Sequence, residues 1–580
     1  MQKNNKWISI GTVLGDTNID TFHFSLKNYK AKKGDIVTTQ TNVPDGNGDV
    51  ISATVWGKIS SIESYNQFFP REAAQELTNE NIDISDTILP TTRDELICRV
   101  IILGYTKGKD LNTKLLPLIY PVKPASCVQY PDSDDVEKLL ISDLDSKHPI
   151  FIGSLLAREA VKIRIDADNL VSRHACIYGM SGSGKTVMVR RIINEMMLKK
   201  YPMLVLDIHG DYLGLVQKQK KLYPENKVKL FYPNLSVSSE DKEIIYTLID
   251  KLGNSLTDPQ KDFLSSLLEK VKYEGGSLLK YIKLLVNRSK TYASEGSTSF
   301  KNIKPASMYV VARSLGIVST KLQHMEQTNF KHRQKMAQLT FEELPDPATE
   351  PEKIISKGQL SILYLKGYET LPASAIVSIL LENLFKHRQE VEEEIPPFLT
   401  IVEEAHNFIP SRSENREDLP SVGTIRKVIT EGRKFGTGII IISQRPSRLD
   451  ETIASQCNSQ IIFRMVNQKD QRAIRDRSET LDADDSKQLS TLANGQGIIS
   501  GQVVNFSLPV QIKFDENLLN DDIGNENFIS SVEKWDDKES VKLRKKFAKD
   551  FSSISDVDQR SSHWAIMKYL LCLWQFLLME

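Results

Sequence analysis

The chain has 580 residues, of which 40% are hydrophobic and 26% are charged, as expected of a globular protein with about two to four domains. Lysine and arginine together number 75, as do aspartate and glutamate, so the formal net charge is zero. A zero balance argues against a surface coated with cations for nonspecific DNA binding, although it allows a local basic channel.

The sequence shows no signal peptide and no apolar stretch of the ~18–20 residues that a membrane span requires. The uncharged run 569–579 is interpreted as a docking helix, with a weak membrane-surface contact as the alternative. None of the five cysteines forms a CxxC pair, so neither a zinc site nor a redox motif is indicated. We therefore expect a cytoplasmic protein with no membrane partner.

Residues 1–165 are predicted to be rich in β-structure. Apolar runs such as 50–56 and 96–103 are separated by segments rich in glycine and proline, such as 44–48. Short strands separated by turns are typical of small barrels, so we predict an N-terminal β-barrel.

From residue 166 onward, predicted strands and helices alternate along the chain. This alternation indicates an α/β core, in which a parallel sheet is covered by helices. A polar segment with helical spacing interrupts the pattern and is interpreted as a helical insertion. The predicted boundaries are 166–239 and 355–515 for the core, 240–354 for the insertion and 516–580 for a C-terminal tail.

The segment 179–186 reads GMSGSGKT and fits the phosphate-binding motif G-x-x-x-x-G-K-[ST] in full. It follows a predicted strand and opens a predicted helix, so backbone N–H groups and the helix N-terminus would face the phosphates. Lys185 is expected to reach the β- and γ-phosphates, and the Thr186 hydroxyl is expected to bind Mg²⁺. The motif predicts ATP and Mg²⁺ as cofactors, with the nucleotide contacted by Gly179, Ser181, Gly182, Ser183, Gly184, Lys185 and Thr186.

Two adjacent acids, Glu403 and Glu404, end the apolar strand predicted at 398–402. A nucleoside triphosphatase needs one carboxylate near Mg²⁺ and one group that activates water. We assign Glu403 to the metal and Glu404 to water. Adjacent strand residues point to opposite faces, so the assignment requires that the strand end there.

Three further residues are candidates by their positions at predicted strands. Asp207 ends the strand 203–207 and is included among the nucleotide-binding residues, with a turn cap as an equal alternative. Gln444 ends the strand 439–442 and would orient water or sense the γ-phosphate. Arg433 precedes that strand and would neutralise charge on the transferring phosphoryl group.

The motifs GMSGSGKT, LDIHGDY, IVEEAHNF, EGRKFGTG and ISQRPSRLD occur in this order. Together they resemble the HerA family of the HerA–FtsK superfamily, in its bacterial phage-defence type, over residues 150–515. The resemblance implies a DNA translocase or helicase whose RecA-like core forms a homo-hexameric ring around double-stranded DNA. It also implies that the N-terminal barrel is of the HAS type.

The resemblance also implies how the nucleotide site is completed. Arg173, twelve residues before Lys185, matches the family's arginine that acts on a neighbouring subunit. Arg433 matches the arginine that acts within its own subunit, and Gln444 matches the sensor. The chain departs from the family pattern at Asp211, where glutamate is frequent, and this puts the role of Asp211 in doubt.

Family members act with a partner, so the resemblance implies a partner nuclease or a sirtuin-type NAD-degrading enzyme that docks on the barrel. The work would be DNA end processing or phage defence. Arg412 and Arg416 are candidate pore residues, although a solvated loop fits them better. Two alternatives to a translocase are a nucleotide-controlled scaffold that activates an effector, and a conjugation or secretion ATPase.

Overall fold

The computed structural model describes residues 7–27, 29–44, 50–66, 94–107, 115–142, 148–233, 242–273, 277–295, 300, 303–338, 346–348, 350–390, 394–411, 419–478, 481 and 483–518. The segments 412–418 and 519–580 lie outside these ranges, and with them Arg412, Arg416 and nearly all of the predicted tail. No helix in the described part of the chain is long and apolar enough to cross a bilayer.

The first β-structure is a closed antiparallel barrel in the order β1-β2-β5-β4-β3-β6. It closes because β1 pairs with both β2 and β6. Alternate residues face inward, and Phe22, Phe24 and Val100 are wholly or almost wholly buried in its core. Its strands are β1 (Ile8–Val13), β2 (Thr21–Leu26), β3 (Ile36–Pro44), β4 (Val50–Asn66), β5 (Asp94–Lys107) and β6 (Cys127–Tyr130).

The second β-structure is a sheet of twelve strands in the order β12-β11-β13-β10-β14-β15-β9-β16-β17-β18-β7-β8. The first eight strands in this order are parallel, and the last four add antiparallel pairs. Its strands are β7 (Pro149–Leu155), β8 (Arg158–Asp166), β9 (Ala175–Tyr178), β10 (Met203–Asp207), β11 (Lys227–Pro233), β12 (Asp346–Ala348), β13 (Gln359–Tyr364), β14 (Phe398–Val402), β15 (Thr437–Ser443), β16 (Ser459–Phe463), β17 (Gln496–Gly501) and β18 (Leu508–Ile512).

Helices cover this sheet and form the insertion. They are α1 (Ser133–Ser142), α2 (Ala167–Ser172), α3 (Lys185–Leu198), α4 (Leu213–Gln217), α5 (Gln219–Leu222), α6 (Lys242–Leu252), α7 (Asp258–Lys270), α8 (Leu278–Ser294), α9 (Pro305–Gln338), α10 (Pro351–Ile354), α11 (Thr370–Glu390), α12 (Pro420–Glu431), α13 (Glu451–Ser455), α14 (Gln468–Arg477) and α15 (Ala483–Gln488). Single 3₁₀ turns lie at Ala405–Asn407, Gly432–Phe435, Pro446–Arg448 and Glu516–Leu518.

The central strands are buried over their whole length. Every residue of β9, β10, β14 and β15 is buried, because a parallel sheet with helices on both faces leaves no strand surface to solvent. Between β11 and β13, helices α6 to α9 pack their apolar sides into the same core as α11. The predicted fold class, an α/β P-loop core with an N-terminal barrel and a helical insertion, is confirmed.

The structure differs from the expected boundaries at two places. β7 and β8, which lie within the segment 1–165, form a hairpin in the large sheet, where β7 pairs with β18. β12 lies within the segment expected to be helical, yet it pairs with β11 at the edge of that sheet. Both additions extend a sheet edge, and edge pairings leave little trace in local sequence patterns.

Two buried ion pairs join the barrel to the α/β core, one at strand β8 and one at helix α15. Arg158 of β8 donates to the Asp35 carboxylate at 2.7 Å, and its guanidinium stacks 3.6 Å from the ring centroid of Tyr130. Tyr130 in turn donates to Asp35 at 2.9 Å. The second pair joins Lys58 of the barrel to Asp485 at 2.8 Å. Because at most 8% of any of these four charged side chains is exposed, both pairs are shielded from solvent.

Arg158→Ala should destabilise the junction by about 3–5 kcal/mol, because it leaves the Asp35 carboxylate buried without its partner. Chemical denaturation followed by circular dichroism measures this loss. The matched control is Arg164→Ala on the same strand, whose pair with Glu137 is partly exposed and contributes less than about 1 kcal/mol. Equal losses in the two variants would contradict the prediction.

Candidate functional site

The predicted site residues converge at one edge of the large sheet. The phosphate loop follows β9, Glu403 and Glu404 follow β14, and Gln444 follows β15. These three strands are parallel neighbours, so their carboxyl ends lie side by side. The structure therefore brings Lys185, Glu403, Glu404 and Gln444 together.

The loop 179–184 turns tightly between β9 and α3. Gly184 has a φ of +115°, and a Cβ there would lie 3.0 Å from the backbone of Gly495, so only glycine fits. Gly182 has a φ of +74°, and a Cβ there would meet nothing within 4 Å, so the loop backbone is open on that side. The exposed side chain of Ser181 lies on the same loop. This open side is where a phosphate chain would approach the N-terminus of α3.

Lys185 is almost entirely buried and donates from Nζ to the carbonyl oxygen of Met180 at 2.9 Å. Burial lowers the pKa of Lys185, while Glu404, Glu403 and Asp211 oppose that shift. Ser183 Oγ donates to the same Met180 carbonyl at 2.8 Å. The lysine thus lies over the loop, within the electrostatic reach of both glutamates.

Glu403 is a buried carboxylate among other acids. Burial raises its pKa to about 7, a hydrogen bond from the Tyr212 hydroxyl opposes the shift, and Asp207, Asp211 and Glu404 add to it. A divalent cation would offset this concentration of negative charge, and carboxylate and hydroxyl oxygens are ligands that Mg²⁺ accepts. Glu403 and Thr186 therefore fit a Mg²⁺ ion chemically.

Glu404 lies just beyond the end of β14, in the left-handed region at φ 43°. A non-glycine residue there is strained by on the order of 1–3 kcal/mol, and such strain concentrates at functional sites. Gln444 Nε2 donates to one carboxylate oxygen, and His406 Nδ1 lies 3.3 Å from the other. Burial alone would raise the pKa of Glu404, but the contacts with His406 and Gln444 outweigh it and lower the pKa. Glu404 is thereby kept ionised, as a base must be.

Asp207 is wholly buried at the end of β10 and accepts four backbone hydrogen bonds. The donors are the N–H groups of His209, Gly210, Asp211 and Tyr212, at 2.7–3.2 Å. Burial raises its pKa to about 6, against the effect of these hydrogen bonds. Because the turn occupies its oxygens, the geometry agrees with the turn-cap alternative and not with a direct nucleotide contact.

Sequence reasoning missed two residues that touch the site. Tyr212 donates to Glu403, and His406 contacts Glu404. Tyr212 lies in the motif LDIHGDY, five residues beyond the end of β10, and His406 lies in IVEEAHNF, four residues beyond the end of β14. Their position in these motifs was the available signal.

The two candidate arginines lie at the other edge of the sheet. Arg433 precedes β15 and Arg173 precedes β9, whereas the phosphate loop and Gln444 follow the same strands. The length of β15 separates the two edges by ~20 Å, more than an arginine side chain can span. This placement does not favour the expectation that Arg433 acts within its own subunit. Both arginines precede their strands, whereas Lys185 follows β9.

His174 links the segments that carry these arginines. The Ile439 N–H donates to its Nδ1 at 3.1 Å, and its Nε2 lies 2.9 Å from the Ile429 carbonyl oxygen, which only an N–H can satisfy. The ring is thus the neutral Nε2–H tautomer. Burial lowers the pKa of His174 to about 4, against the effect of the bond to Ile429. The buried ring of His174 thus holds the adjacent Arg173 beside α12. α12 is followed directly by the 3₁₀ turn Gly432–Phe435, which contains Arg433.

The neutral state of His174 makes stability depend on pH. The unfolded side chain binds a proton below about pH 6.5, but the folded one does so only near pH 4, so stability falls as the pH falls between these values. The wild type should lose free energy of unfolding as the pH falls from about 7 to about 5. His174→Gln should make this loss smaller by about 2 kcal/mol, as measured by urea unfolding at each pH. Glu403 acts in the opposite direction, so variant and wild type are compared at each pH.

His148→Gln is the control, since His148 is exposed beside an exposed aspartate. Its pH dependence should match that of the wild type. An unchanged pH dependence in His174→Gln would mean that His174 is not held neutral.

Comparison with known proteins finds similarity to one group of helicases. The family model described as "Helicase HerA, central domain" matches residues 150–384. The chain is 27% identical over 557 residues to the DNA double-strand break repair helicase HerA of Pyrococcus furiosus, which covers 87% of this chain and 92% of that protein. It is 26% identical over 452 residues to a probable helicase of the same description from Methanocaldococcus jannaschii, with 73% and 86% covered.

Among solved structures, VirB4 of Thermoanaerobacter pseudethanolicus matches with a TM-score of 0.42 and 13% identity, over 64% of this chain and 99% of that one. The phosphate loop, the paired glutamates and relatives that match most of the chain agree with one another. This protein is therefore a P-loop ATPase that is similar to the HerA helicases over most of its length.

Proposed function

We propose that this protein is an ATP-driven translocase of double-stranded DNA that works as a ring of identical subunits, a hexamer by family resemblance. The observation that carries the proposal is that the phosphate loop and the two arginines, Arg173 and Arg433, lie at opposite ends of the central strands. A ring brings the arginine edge of one subunit to the phosphate edge of the next.

Within one subunit the residues divide the chemistry of hydrolysis. The loop N–H groups and Lys185 hold the phosphates, and the ionised Glu404 accepts a proton from the attacking water. Gln444 holds Glu404 in position through the hydrogen bond that it donates. Glu403 and Thr186 would hold Mg²⁺, which neutralises charge on the phosphates when bound.

The neighbouring subunit supplies the missing cations. Arg173 and Arg433 flank one edge, where α2 packs against the 3₁₀ turn Gly432–Phe435. Arginine is suited to the transferring phosphoryl group because its planar guanidinium stays charged and donates in pairs. Both arginines therefore act on the neighbour's nucleotide, which couples hydrolysis to subunit contact.

The DNA substrate and the partner are supported by resemblance. The relatives are described as DNA double-strand break repair helicases, which supports action on DNA ends. The partner would be a nuclease or a sirtuin-type NAD-degrading enzyme docked on the barrel, in end processing or in phage defence. The four cysteines in the described ranges are free thiols, which supports a reducing, cytoplasmic setting.

Glu404→Gln should lower the ATPase rate at least about 100-fold while ATP binding persists, because only the proton acceptor is lost. Steady-state hydrolysis and nucleotide binding measure the two effects. Glu159→Gln, an exposed glutamate on β8, is the control and should hydrolyse ATP at the wild-type rate. Full activity in Glu404→Gln would refute the assigned base.

Mixed rings test the arginines. Lys185→Ala and Arg433→Ala subunits are each expected to be inactive alone, yet a mixture should regain activity wherever an intact Lys185 meets an intact Arg433 of its neighbour. The same holds for Arg173→Ala. If Arg433 acted within its own subunit, no mixture with Lys185→Ala would regain activity.

Duplex DNA should stimulate ATP hydrolysis, and the stimulation should fall with increasing salt as phosphate contacts do. The alternative function is a scaffold that uses nucleotide only to assemble an effector. Effector activity that survives in Glu404→Gln, together with hydrolysis that ignores DNA, would favour the scaffold over the translocase.

A further inference from the structure

Helix α14 presents a basic face to solvent. Lys469, Arg472 and Arg475 are exposed and lie three residues apart, so they share one side of the helix. Asp476 is the one exposed carboxylate on α14. In a chain of zero net charge, three cations against one anion form a local positive patch.

The same face lines a recess of about 450 Å³. Its described lining is polar throughout, since Gln468 and Gln471 join the three cations there. Ammonium, guanidinium and amide N–H groups are all hydrogen-bond donors, which suits oxygen-rich anions. Among the described residues, the lining carries no apolar side chain on which a protein partner would normally anchor.

The buried side of α14 is tied to the loop that follows Gln444. The Ser447 N–H donates to the Asp470 carboxylate at 3.0 Å, and Arg477 donates to the Pro446 carbonyl oxygen at 2.8 Å. Pro446 is two residues beyond Gln444, the residue that holds Glu404. A force on α14 is therefore transmitted to the position of the catalytic base.

The start of α14 is tied to the phosphate loop. β16 ends at Phe463, and the next residue, Arg464, accepts a hydrogen bond on its carbonyl oxygen from the Met180 N–H at 3.0 Å. The Met180 carbonyl oxygen also accepts a hydrogen bond from the Lys185 ammonium group. The helix is thus connected both to the loop that follows Gln444 and to the phosphate loop.

We infer that the solvent face of α14 binds the phosphodiester backbone of the DNA strand and transmits that contact to the ATPase site. The inference rests on the proposed translocase function and adds to it the contacting residues and the route of coupling. Contacts through charged donors to phosphates carry no sequence information, as a translocase requires.

The test is the full-length triple variant Lys469→Gln, Arg472→Gln, Arg475→Gln, assayed with a fluorescent duplex. Loss of three phosphate contacts should reduce the slope of log K against log salt by about 2 to 3 and weaken binding at least tenfold at low salt. Basal ATP hydrolysis should be unchanged, while its stimulation by duplex should be lost. A second variant, Lys469→Arg, Arg472→Lys, Arg475→Lys, keeps the charges and should retain both binding and stimulation.

The matched control is Lys280→Gln, Lys283→Gln, Arg288→Gln, which removes three exposed cations from α8 of the insertion. It should bind duplex like the wild type. If duplex stimulates the wild type and the α14 variant equally, the inference fails and the translocase stands. If duplex neither binds nor stimulates the wild type, the translocase itself fails. A changed particle mass in the α14 variant would make this face a subunit interface and would also overturn the inference.

Discussion

The direction of the central strands is the constraint on which the site depends. β9, β14, β15 and β10 run parallel, so everything that follows a strand collects at one edge and everything that precedes it collects at the other. The phosphate loop and the glutamates belong to the first edge, and the arginines to the second. The candidate residues are therefore divided between two opposite edges of one sheet.

Within the phosphate edge, the protein sets two adjacent glutamates to different protonation behaviour. Glu403 is packed among acids beneath Tyr212, and its pKa is raised. Glu404 turns away through a left-handed backbone, meets Gln444 and His406, and its pKa is lowered. Two adjacent residues thus differ in character: the Glu403 carboxylate is suited to binding a cation, and the Glu404 carboxylate is suited to accepting a proton. This is possible because β14 ends at Val402, just before the pair, and the backbone turns at Glu404.

Much of this arrangement could be predicted from the sequence, because the informative signals were local. The phosphate loop, the apolar strands and the acids at their ends are contiguous motifs, and the structure places them together. The edge at which Arg433 lies depends on strand direction, and this required the three-dimensional arrangement. The edge strands β7, β8 and β12 depend on pairings between distant segments, which local patterns do not encode.

The capping role of Asp207 shows the same limit at the scale of one side chain. From the sequence, an acid at a strand end serves a nucleotide or a turn equally well. Four backbone donors decide between them, and those donors converge only when the turn after β10 has formed.

The Asp35–Arg158 and Lys58–Asp485 pairs have a mechanical consequence. Each joins the barrel to the α/β core, Arg158 from strand β8 and Asp485 from helix α15, through charges that are almost fully buried. Separating the barrel from the core at these contacts would therefore leave buried charges without their partners. A pull on the barrel would accordingly be carried to the α/β core through Asp35–Arg158 and Lys58–Asp485.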